Sequence, residues 1–401
     1  MSNALHMRQA LPATLPLAAS FLLASCGGGG GMGMSPTSMA TNAMGSGSMG
    51  NMGSNMSCMG MDMSMNMSCP APTVALVAPV AAVSRTVTLR AQVVVMQGDA
   101  VTRVDFMVDG ARVGTASGSG PFGVSWDSTT VSDGAHTLTA AVSDSLGQAA
   151  TAPPVTIEVN NHPAFTVALS PAQMIPAPVS ASTGTAHLSS NLASGALNGS
   201  VVLSGVTATA VTLNEAFAGN RGAVLLALLP GAGTGEWDVP AGALLTAEQI
   251  TALLQGGLYL TASSAANRGG ELRGQITPAN VTVIFSAMSG TQEVPPVAIN
   301  ASGVAATTVD TVAHTLSVHV HASGVGDAMA GEVADGAPGA TGARLAALTR
   351  DDIDPGHWST ELAAVDDAEM AASKASDWYV NVMTPADPEG ALRGQIALTG
   401  H

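Results

Sequence analysis

The chain contains one domain-length pattern twice, and this duplication limits its folds more than any other feature of the sequence. The stretch GGELRGQI at residues 269 to 276 returns as EGALRGQI at residues 389 to 396. Other anchors recur in a fixed order, at an offset of 119 or 120 residues. A repeat of this length indicates two copies of one domain and excludes a short-period solenoid. The matched pairs are Gln173 with Gln292, Gly184 with Gly303, Gly219 with Gly339, Gly222 with Gly342, Tyr259 with Tyr379 and Arg273 with Arg393.

The composition favours several small β-rich cores over one large enzyme core. Hydrophobic residues make up 46% of the chain, whereas aromatic residues make up only 3% and charged residues 10%. Such a mixture is typical of many short strands that bury Ala, Val and Leu. The only lysine is Lys374, and the formal net charge is -16. This charge repels phosphate backbones, so we predict no nucleic-acid partner.

The first residues have the features of an export signal. An apolar run, LPATLPLAASFLLASC, follows Arg8 and is too short to span a membrane. Its end, Leu23-Ala24-Ser25-Cys26, resembles a bacterial lipobox. The resemblance implies a signal peptide over residues 1–25 and a lipid on the sulfur of Cys26, which would anchor the chain in the cell envelope. Glycine rather than aspartate follows Cys26, which favours the outer membrane. A plain secretory signal with a chance cysteine is the alternative.

Residues 26–69 are predicted to form a disordered stalk. They consist mainly of Gly, Ser, Asn and Met and cannot bury a core. The stretch MGMDMSMNMSC places methionine at every second position, and thioethers are soft ligands that suit Cu(I). Cys58 and Cys69 could add thiolates or could join in a disulfide. A Met-biased linker, with or without a role as an oxidant sink, is the competing interpretation. The candidate copper ligands are Met59, Met61, Met63, Met65, Met67, Cys58 and Cys69.

Residues 70–160 predict an immunoglobulin-like β-sandwich. Short segments alternate apolar and polar residues between turn signals such as Asp109-Gly110 and Asp133-Gly134. About seven short strands in some ninety residues is typical of a β-sandwich. The segment VTRVDFMVDGARVGT and the residues after it resemble bacterial immunoglobulin-like modules of surface proteins. These modules have a spacer or adhesive role, and Trp126 is expected in the core.

The two repeats resemble the CHRD domain, which is common in bacterial exported proteins. The second repeat runs FSAMSGTQEVPPVAINASGV, HTLSVHVHASGV, PGATGARLAAL and DWYVNVMTPADPEGALRGQI, and the first has the same skeleton. The resemblance implies two tandem all-β sandwich or barrel domains, over residues 163–278 and 280–399. It also implies one short helix in each, near residues 246–254 and 366–376. Ala247, Ile250 and Leu254 recur at helical spacing and support the first helix independently.

Histidines provide the candidate metal ligands of the repeats. The family pattern has a His-x-His and a later histidine, but here these positions read Val211 and Leu213, Gly331 and Val333, and Met383 or about Ser263. The pair His319 and His321 lies elsewhere, ahead of an SGV triplet. We expect this pair to lie on a solvent-facing strand without a ligand. A metal site completed by some third ligand is the alternative. His187 is expected at the surface, and His314 on the opposite face.

Three other polar features receive structural interpretations. Asp351, Asp352 and Asp354 do not match a recognised Ca²⁺ loop and are predicted to form a solvated acidic loop. Glu271 and Arg273 are predicted to form a surface ion pair. The repeated motif is interpreted as the last strand of each domain, in which Arg273 and Arg393 pair with a carboxylate across the sheet.

The sequence therefore predicts a non-enzymatic lipoprotein of the cell envelope. Its tandem CHRD domains would act as a binding or structural module, with no cofactor, and an envelope protein or a glycan would be the partner. Copper binding or sequestration by the stalk is the alternative function. The sequence leaves open the ligand of the repeats, the side of the outer membrane and the oligomeric state.

Overall fold

The computed structural model describes residues 70–96, 99–373 and 377–397. The described residues belong to one compact unit and form three consecutive β domains. The predicted signal peptide, Cys26 and the stalk lie outside the described residues. No helix in the described part of the chain is long and apolar enough to cross a membrane.

The first domain is the predicted immunoglobulin-like sandwich. One sheet has the order β1-β2-β5, and the other has the order β4-β3-β6-β7 with β8 also paired to β6. Trp126, predicted in the core, is 4% exposed and packs between the sheets with Phe106 and Leu138. The strands are β1 (Thr73–Val77), β2 (Thr86–Val94), β3 (Val101–Val108), β4 (Ala111–Ala116), β5 (Phe122–Asp127), β6 (Gly134–Asp144), β7 (Ala149–Thr151) and β8 (Val155–Val159).

The first repeat domain consists of two sheets around one apolar core. The sheets have the orders β14-β15-β11-β10-β9 and β13-β12-β16-β17. Alternation along β10 buries every second residue, as one-sided packing requires. The strands are β9 (Ala164–Leu169), β10 (Thr183–Ser190), β11 (Leu197–Ser204), β12 (Ala208–Glu215), β13 (Ala223–Ala227), β14 (Leu229–Pro230), β15 (Glu236–Asp238), β16 (Leu258–Ser264) and β17 (Leu272–Ile276).

The predicted helix of the first repeat is α1 (Ala247–Leu254). It begins after Thr246, whose side chain accepts a hydrogen bond from Gln249 N at 3.3 Å, while Gln249 Oε1 accepts one from Thr246 N at 2.9 Å. This capping box satisfies amide groups that the first turn would otherwise leave unpaired. Ile250 and Leu253 are buried and attach the helix to the core.

The second repeat domain closes into an eight-stranded barrel. Its order is β18-β19-β20-β23-β22-β21-β24-β25, and β25 returns to β18 through the pair Ser289 and Arg393. The predicted second helix is α2 (Asp367–Ser373). The strands are β18 (Val281–Ser289), β19 (Ser302–Asp310), β20 (Thr315–Ser323), β21 (Ala330–Asp335), β22 (Arg344–Arg350), β23 (His357–Ala364), β24 (Trp378–Met383) and β25 (Leu392–Ile396).

The repeated motif forms the last strand of each repeat domain, as predicted. It lies in β17 of the first domain and β25 of the second. A Cβ atom on Gly274 would lie 2.8 Å from Val167 Cγ1 and 2.9 Å from Ala168 O, and one on Gly394 would lie 2.7 Å from Met288 Cγ. Both glycines therefore allow the last strand to approach the first strand of its domain.

Candidate functional site

The arginine and glutamine of the repeated motif hold a loop of their own domain. In the first repeat, Arg273 Nη2 donates to Phe217 O at 2.9 Å, and Gln275 Nε2 donates to Ala216 O at 2.8 Å. Arg273 Nη2 also donates to Gln275 Oε1 at 2.8 Å, which fixes the two side chains together. We call this pair the clamp and residues 216–222 the first loop.

The second repeat has the same clamp on the equivalent loop. Arg393 Nη1 donates to Ala340 O at 2.7 Å, and its Nη2 donates to Ala337 O at 3.0 Å. Gln395 Nε2 donates to Gly336 O at 2.8 Å. Residues 336–342 are called the second loop. Because backbone carbonyls are the acceptors, the clamp fixes the path of a loop whatever side chains the loop carries.

Both clamp arginines are buried beside aromatic rings. Arg273 is 4% exposed, and its guanidinium lies 3.6 Å from the ring centroid of Tyr259. Arg393 is 1% exposed and lies 3.6 Å from the ring centroid of Tyr379. Burial lowers the pKa of Arg273 to about 10. The prediction that these arginines pair with carboxylates across the sheet is therefore wrong, because their donors are directed at loop carbonyls.

Glu271 and Arg273 do not form the predicted surface ion pair. Both residues are buried. Glu271 Oε1 accepts hydrogen bonds from Ser180 Oγ at 2.7 Å and Ser182 Oγ at 3.1 Å. Hydroxyl donors, with Ser264 giving the largest effect, lower the pKa of Glu271. The two side chains thus serve separate hydrogen-bond networks.

The first loop rests on the outer face of the second repeat domain. Phe217 and Gly219 are buried there, and Gly219 O accepts a hydrogen bond from His321 Nε2 at 2.8 Å. A Cβ atom on Gly219 would lie 2.8 Å from the Cβ atoms of both Ala306 and His319. Gly219 also has a φ of 88°, which other residues rarely adopt. This contact therefore depends on glycine.

Three histidines gather beneath the first loop. His319 and His321 lie on β20, and His357 is the partner of His321 across the β20 and β23 pair. His319 Nδ1 and His357 Nε2 are 3.1 Å apart. Their ring centroids are 5.4 Å apart and their planes differ by 8°, so these two rings lie end to end in one plane. The His321 ring lies 4.7 Å from the His357 ring.

Two carboxylates face the outer nitrogens of the end-to-end pair. His319 Nε2 lies 3.1 Å from Glu361 Oε1, as an ion pair that is not aligned as a hydrogen bond. His357 Nδ1 lies 3.6 Å from Asp351 Oδ2. The His319 contact lowers the pKa of Glu361, and backbone amides, first that of Asp354, lower the pKa of Asp351. Part of the predicted acidic loop is thus engaged with the histidines.

A crevice of about 470 Å³ opens beside the histidines. It lies between the first loop, α1 and the second repeat domain, and Glu361 belongs to its wall. Glu215 and Glu248 add two further carboxylates, and Arg221 adds one guanidinium. The crevice therefore has three carboxylates and one guanidinium in its wall, and Glu361 connects it to the histidine cluster.

The expectation that His319 and His321 lie on a solvent-facing strand is wrong. Both residues do point out of the barrel, since Val318 and Val320 occupy its core. His319 is nevertheless only 1% exposed, because the first loop of the neighbouring domain covers this face. Burial lowers the pKa of His321.

His357 completes the cluster, and the sequence analysis did not single it out. It lies 36 residues after His321 along the chain, and only the pairing of β20 with β23 brings the two together. The signal available in the sequence was the parity of β23, where His357 alternates with the buried Trp358. His187 is exposed as predicted, and His314 lies 2.9 Å from Asp367 instead of joining the cluster.

The cluster belongs to the second repeat alone. Val201 pairs with Trp237 in the first repeat as Val320 pairs with Trp358 in the second. This register places Ser200, Val202 and Glu236 at the positions of His319, His321 and His357. The first repeat thus provides an internal comparison with the same strands and without the imidazoles.

No group of three or more His, Cys, Asp or Glu side chains within residues 70–96, 99–373 and 377–397 is arranged around a common metal-ion position. His321, the third histidine of the cluster, donates a hydrogen bond to Gly219 O. The candidate copper ligands of the stalk and the lipidation site lie outside the described residues: Met59, Met61, Met63, Met65, Met67, Cys58, Cys69 and Cys26.

A second buried polar group lies beside Gly390 in the second repeat. Glu293 Oε1 and Asn381 Oδ1 are both buried and have no hydrogen-bond donor. Burial raises the pKa of Glu293 to about 7, against the opposing effect of the Arg393 charge. Both side chains crowd Gly390, where a Cβ atom would lie 2.6 Å from Asn381 Oδ1. A protonated Glu293 can donate a hydrogen bond, whereas its charged form can only accept one.

The first repeat fills the same place with apolar contacts. Met174 stands where the second repeat has Glu293, and Thr261 stands where it has Asn381. A Cβ atom on Gly270, the counterpart of Gly390, would lie 2.6 Å from Met174 Cε and 2.9 Å from Thr261 Cγ2. The space is therefore conserved between the repeats, whereas its titratable group is not.

Comparisons with known proteins agree with this organisation. A family model described as the CHRD domain matches residues 165–276 and 284–396, which together exceed half of the chain, and a model described as a bacterial Ig domain matches residues 72–140. A comparison with curated protein sequences gives no match.

Among solved structures, fibronectin(III)-like modules of Clostridium thermocellum CbhA are similar at 26% identity and a TM-score of 0.19, covering 22% of this chain and 97% of that chain. Extracellular domains 3-5 of Drosophila OTK are similar at 11% identity and a TM-score of 0.18, covering 82% of this chain and 99% of that chain.

Proposed function

The chain belongs to the CHRD domain family, and from this premise we propose that it is a non-enzymatic lipoprotein that binds an envelope partner through its repeats. The immunoglobulin-like and CHRD domains form a β-rich binding or structural module. The proposal adds a lipid anchor at Cys26 and a disordered stalk over residues 26–69, which would hold the module away from the outer membrane.

One observation carries the binding role: the two clamped loops have different surroundings. The first loop is buried at Phe217, Ala218 and Gly219, and Gly219 O accepts a hydrogen bond from His321 on the outer face of the next domain. The second loop is held by the same arginine and glutamine, yet it is exposed from residue 338 to residue 342. A rigid exposed loop loses little conformational entropy on binding, which favours association with a β surface of a partner. The second loop is thus the proposed contact site for an envelope protein.

Photo-crosslinking in the native envelope tests this role. A photoreactive residue at Ala340 in the second loop is expected to form a discrete adduct, because Ala340 is exposed and its backbone is held by Arg393. The matched control is the same residue at Val179, which is fully exposed in a loop of the first repeat. The same adduct from both positions, or none from Ala340, would contradict the role of the second loop.

The anchor has its own test. Cys26→Ser is expected to abolish incorporation of a labelled fatty acid and to move the protein from the membrane fraction to the soluble fraction of the envelope. The physical reason is that acyl chains hold a protein at a bilayer by burying methylene groups. Cys58→Ser serves as the control because it leaves the lipobox intact. Unchanged membrane association in Cys26→Ser would remove the lipoprotein assignment.

Copper binding by the stalk is a second candidate function. It rests on the alternating methionines at residues 59 to 67, which place several thioethers close together along the chain, and thioethers are soft ligands that suit Cu(I). A peptide spanning residues 32–69 is expected to bind Cu(I) with a dissociation constant of about 1 μM or lower. Replacing the five alternating methionines by leucine should abolish binding. A peptide that does not compete with a weak Cu(I) chelator would eliminate this function.

A further inference from the structure

Each repeat domain has the same two surfaces, and one of each is used inside the chain. One surface is the clamped loop. The other is the outer face of two paired strands, β10 and β11 in the first repeat and β19 and β20 in the second. The first loop packs on the outer face of the second repeat. The second loop remains exposed, and so does every outward residue of β10 on the outer face of the first repeat.

The contact inside the chain depends on the close approach of one glycine to two strands. A Cβ atom on Gly219 would lie 2.8 Å from the Cβ atoms of Ala306 and His319, which are partners across β19 and β20. A side chain would not fit at this point, so the contact requires the bare backbone of glycine. The carbonyl of the same glycine accepts the hydrogen bond from His321.

The second loop has the same backbone conformation at the equivalent glycine. Gly339 has a φ of 83°, close to the 88° of Gly219. The two clamp arginines donate to equivalent carbonyls, those of Asn220 and Ala340. A Cβ atom on Gly339 would meet no other atom within 4 Å. The glycine that is buried in the first loop is therefore open to solvent in the second.

The outer face of the first repeat presents the equivalent pair of positions. His187 and Ser200 are partners across β10 and β11, as Ala306 and His319 are across β19 and β20. The larger side chain of His187 is turned aside, because its Nδ1 lies 3.4 Å from Thr166 Oγ1 on β9. The ring thus leans away from Ser200 and leaves the point between the two strands to an approaching backbone.

The chemistry of the two exposed surfaces is compatible. Residues 336–342 of the second loop contain no charged side chain, so the contact buries no charge from the loop. Val202 stands in the place of His321 and is 50% exposed. Its partner across the strands, Thr185, is exposed and has a hydroxyl that can donate to a loop carbonyl. Glu236 turns back toward its own chain, where it accepts a hydrogen bond from Gly233 N at 2.7 Å.

We propose that the second loop binds the outer face of the first repeat on a second copy of this chain, as the first loop binds the second repeat within one copy. The inference rests on the proposed function, because it names the partner of the same loop. Phe217, which is buried in the first loop, is replaced by Ala337 in the second. The contact between copies therefore buries less apolar surface than the contact within a copy and is the weaker of the two.

Sedimentation of single and mixed variants tests the proposal. The full-length chain carries Cys26→Ser, which keeps it free of lipid, and is studied under reducing conditions. Its average mass is expected to rise with concentration, and Gly339→Asn and Val202→Glu should each abolish the rise. Asparagine tolerates a left-handed backbone and Val202 is half exposed, so both variants are expected to fold. An equimolar mixture should form dimers, because one variant keeps its outer face and the other keeps its loop.

Val224→Glu is the matched control, because Val224 is exposed on β13 of the first repeat, away from the outer face. It should leave the association unchanged. Association that both variants retain would overturn the proposal. The same holds for a mixture that forms no dimers and for a chain whose mass does not change with concentration.

Photo-crosslinking from Ala340 separates this inference from the proposed function. The adduct is expected to have twice the mass of the chain, and its second attachment point is expected within residues 183–204, which include β10 and β11. An adduct between Ala340 and a different envelope protein would overturn the inference and leave the proposed function standing. The absence of any adduct would contradict both.

Discussion

Replacing Arg393 by methionine is expected to lower the free energy of unfolding of the second repeat domain by about 3 to 5 kcal/mol. The guanidinium donates to Ala340 O and Ala337 O, and it also donates to Gln395 Oε1 at 2.8 Å. Methionine preserves the length and much of the apolar contact with Tyr379. It removes all donors at once, so the loop carbonyls must open to water or remain unpaired.

Urea unfolding followed by tryptophan fluorescence measures this loss. Trp358 and Trp378 report on the second repeat, while Trp126 and Trp237 report on the other two domains. The three domains need not unfold together, so each transition is fitted separately. Arg344→Met is the matched control, because Arg344 is an exposed arginine of the same domain. A loss in Arg393→Met no larger than that in Arg344→Met would show that the clamp does not stabilise the domain.

Replacing Glu293 by glutamine is expected to make the second repeat domain more stable by about 3 kcal/mol at pH 8 and by only about 1 kcal/mol at pH 5. The pKa of Glu293 is about 7 in the folded chain, above its ordinary value of 4.5. The folded state therefore binds the proton more tightly than the unfolded state. The stabilisation that comes from the tighter binding of this proton is fully present below pH 4.5. It is lost as the pH rises toward and through 7.

The measurement is the difference between the wild-type and variant unfolding free energies across pH 5 to 8, so that other titrating groups cancel. A glutamine side chain stays neutral at every pH in this range, which removes the dependence. Glu158→Gln is the control, since Glu158 is exposed in the immunoglobulin-like domain. A wild-type to Glu293→Gln difference that is the same at both pH values would mean that Glu293 keeps its charge in the folded state.

The duplication, the alternation of apolar residues and the family resemblance together predicted the fold. Strand parity predicted that His319 and His321 would point away from the core, which Val318 and Val320 occupy, and the helical spacing of Ala247, Ile250 and Leu254 supported α1. These features depend on neighbours in the sequence and on one sheet at a time. The last strand of each repeat was predicted correctly for the same reason.

The site could not be predicted in this way, because its geometry depends on contacts between distant segments. Parity alone leaves His319 on an outer face, and only the docking of the first loop decides that this face is buried. Likewise, the acceptors of Arg273 are carbonyls of a loop more than fifty residues away, which no pattern of side chains in the sequence marks. A backbone carbonyl can accept a hydrogen bond whatever side chain its residue carries. The sequence of the loop therefore does not show which of its carbonyls are acceptors.

The contact between the repeats joins two different surfaces, a loop of one domain and the outer strands of the next. A contact of this kind has a direction and does not close on itself. A further repeat joined by the same contact would cover one outer face and expose one new loop. Neither the loop surface nor the outer face would have to change in sequence. Ser200 and Val202 lie on the equivalent outer face of the first repeat, and the second loop is the exposed counterpart of the first loop. The contact between the two repeats is therefore directional, because one domain contributes a loop and the next contributes an outer face.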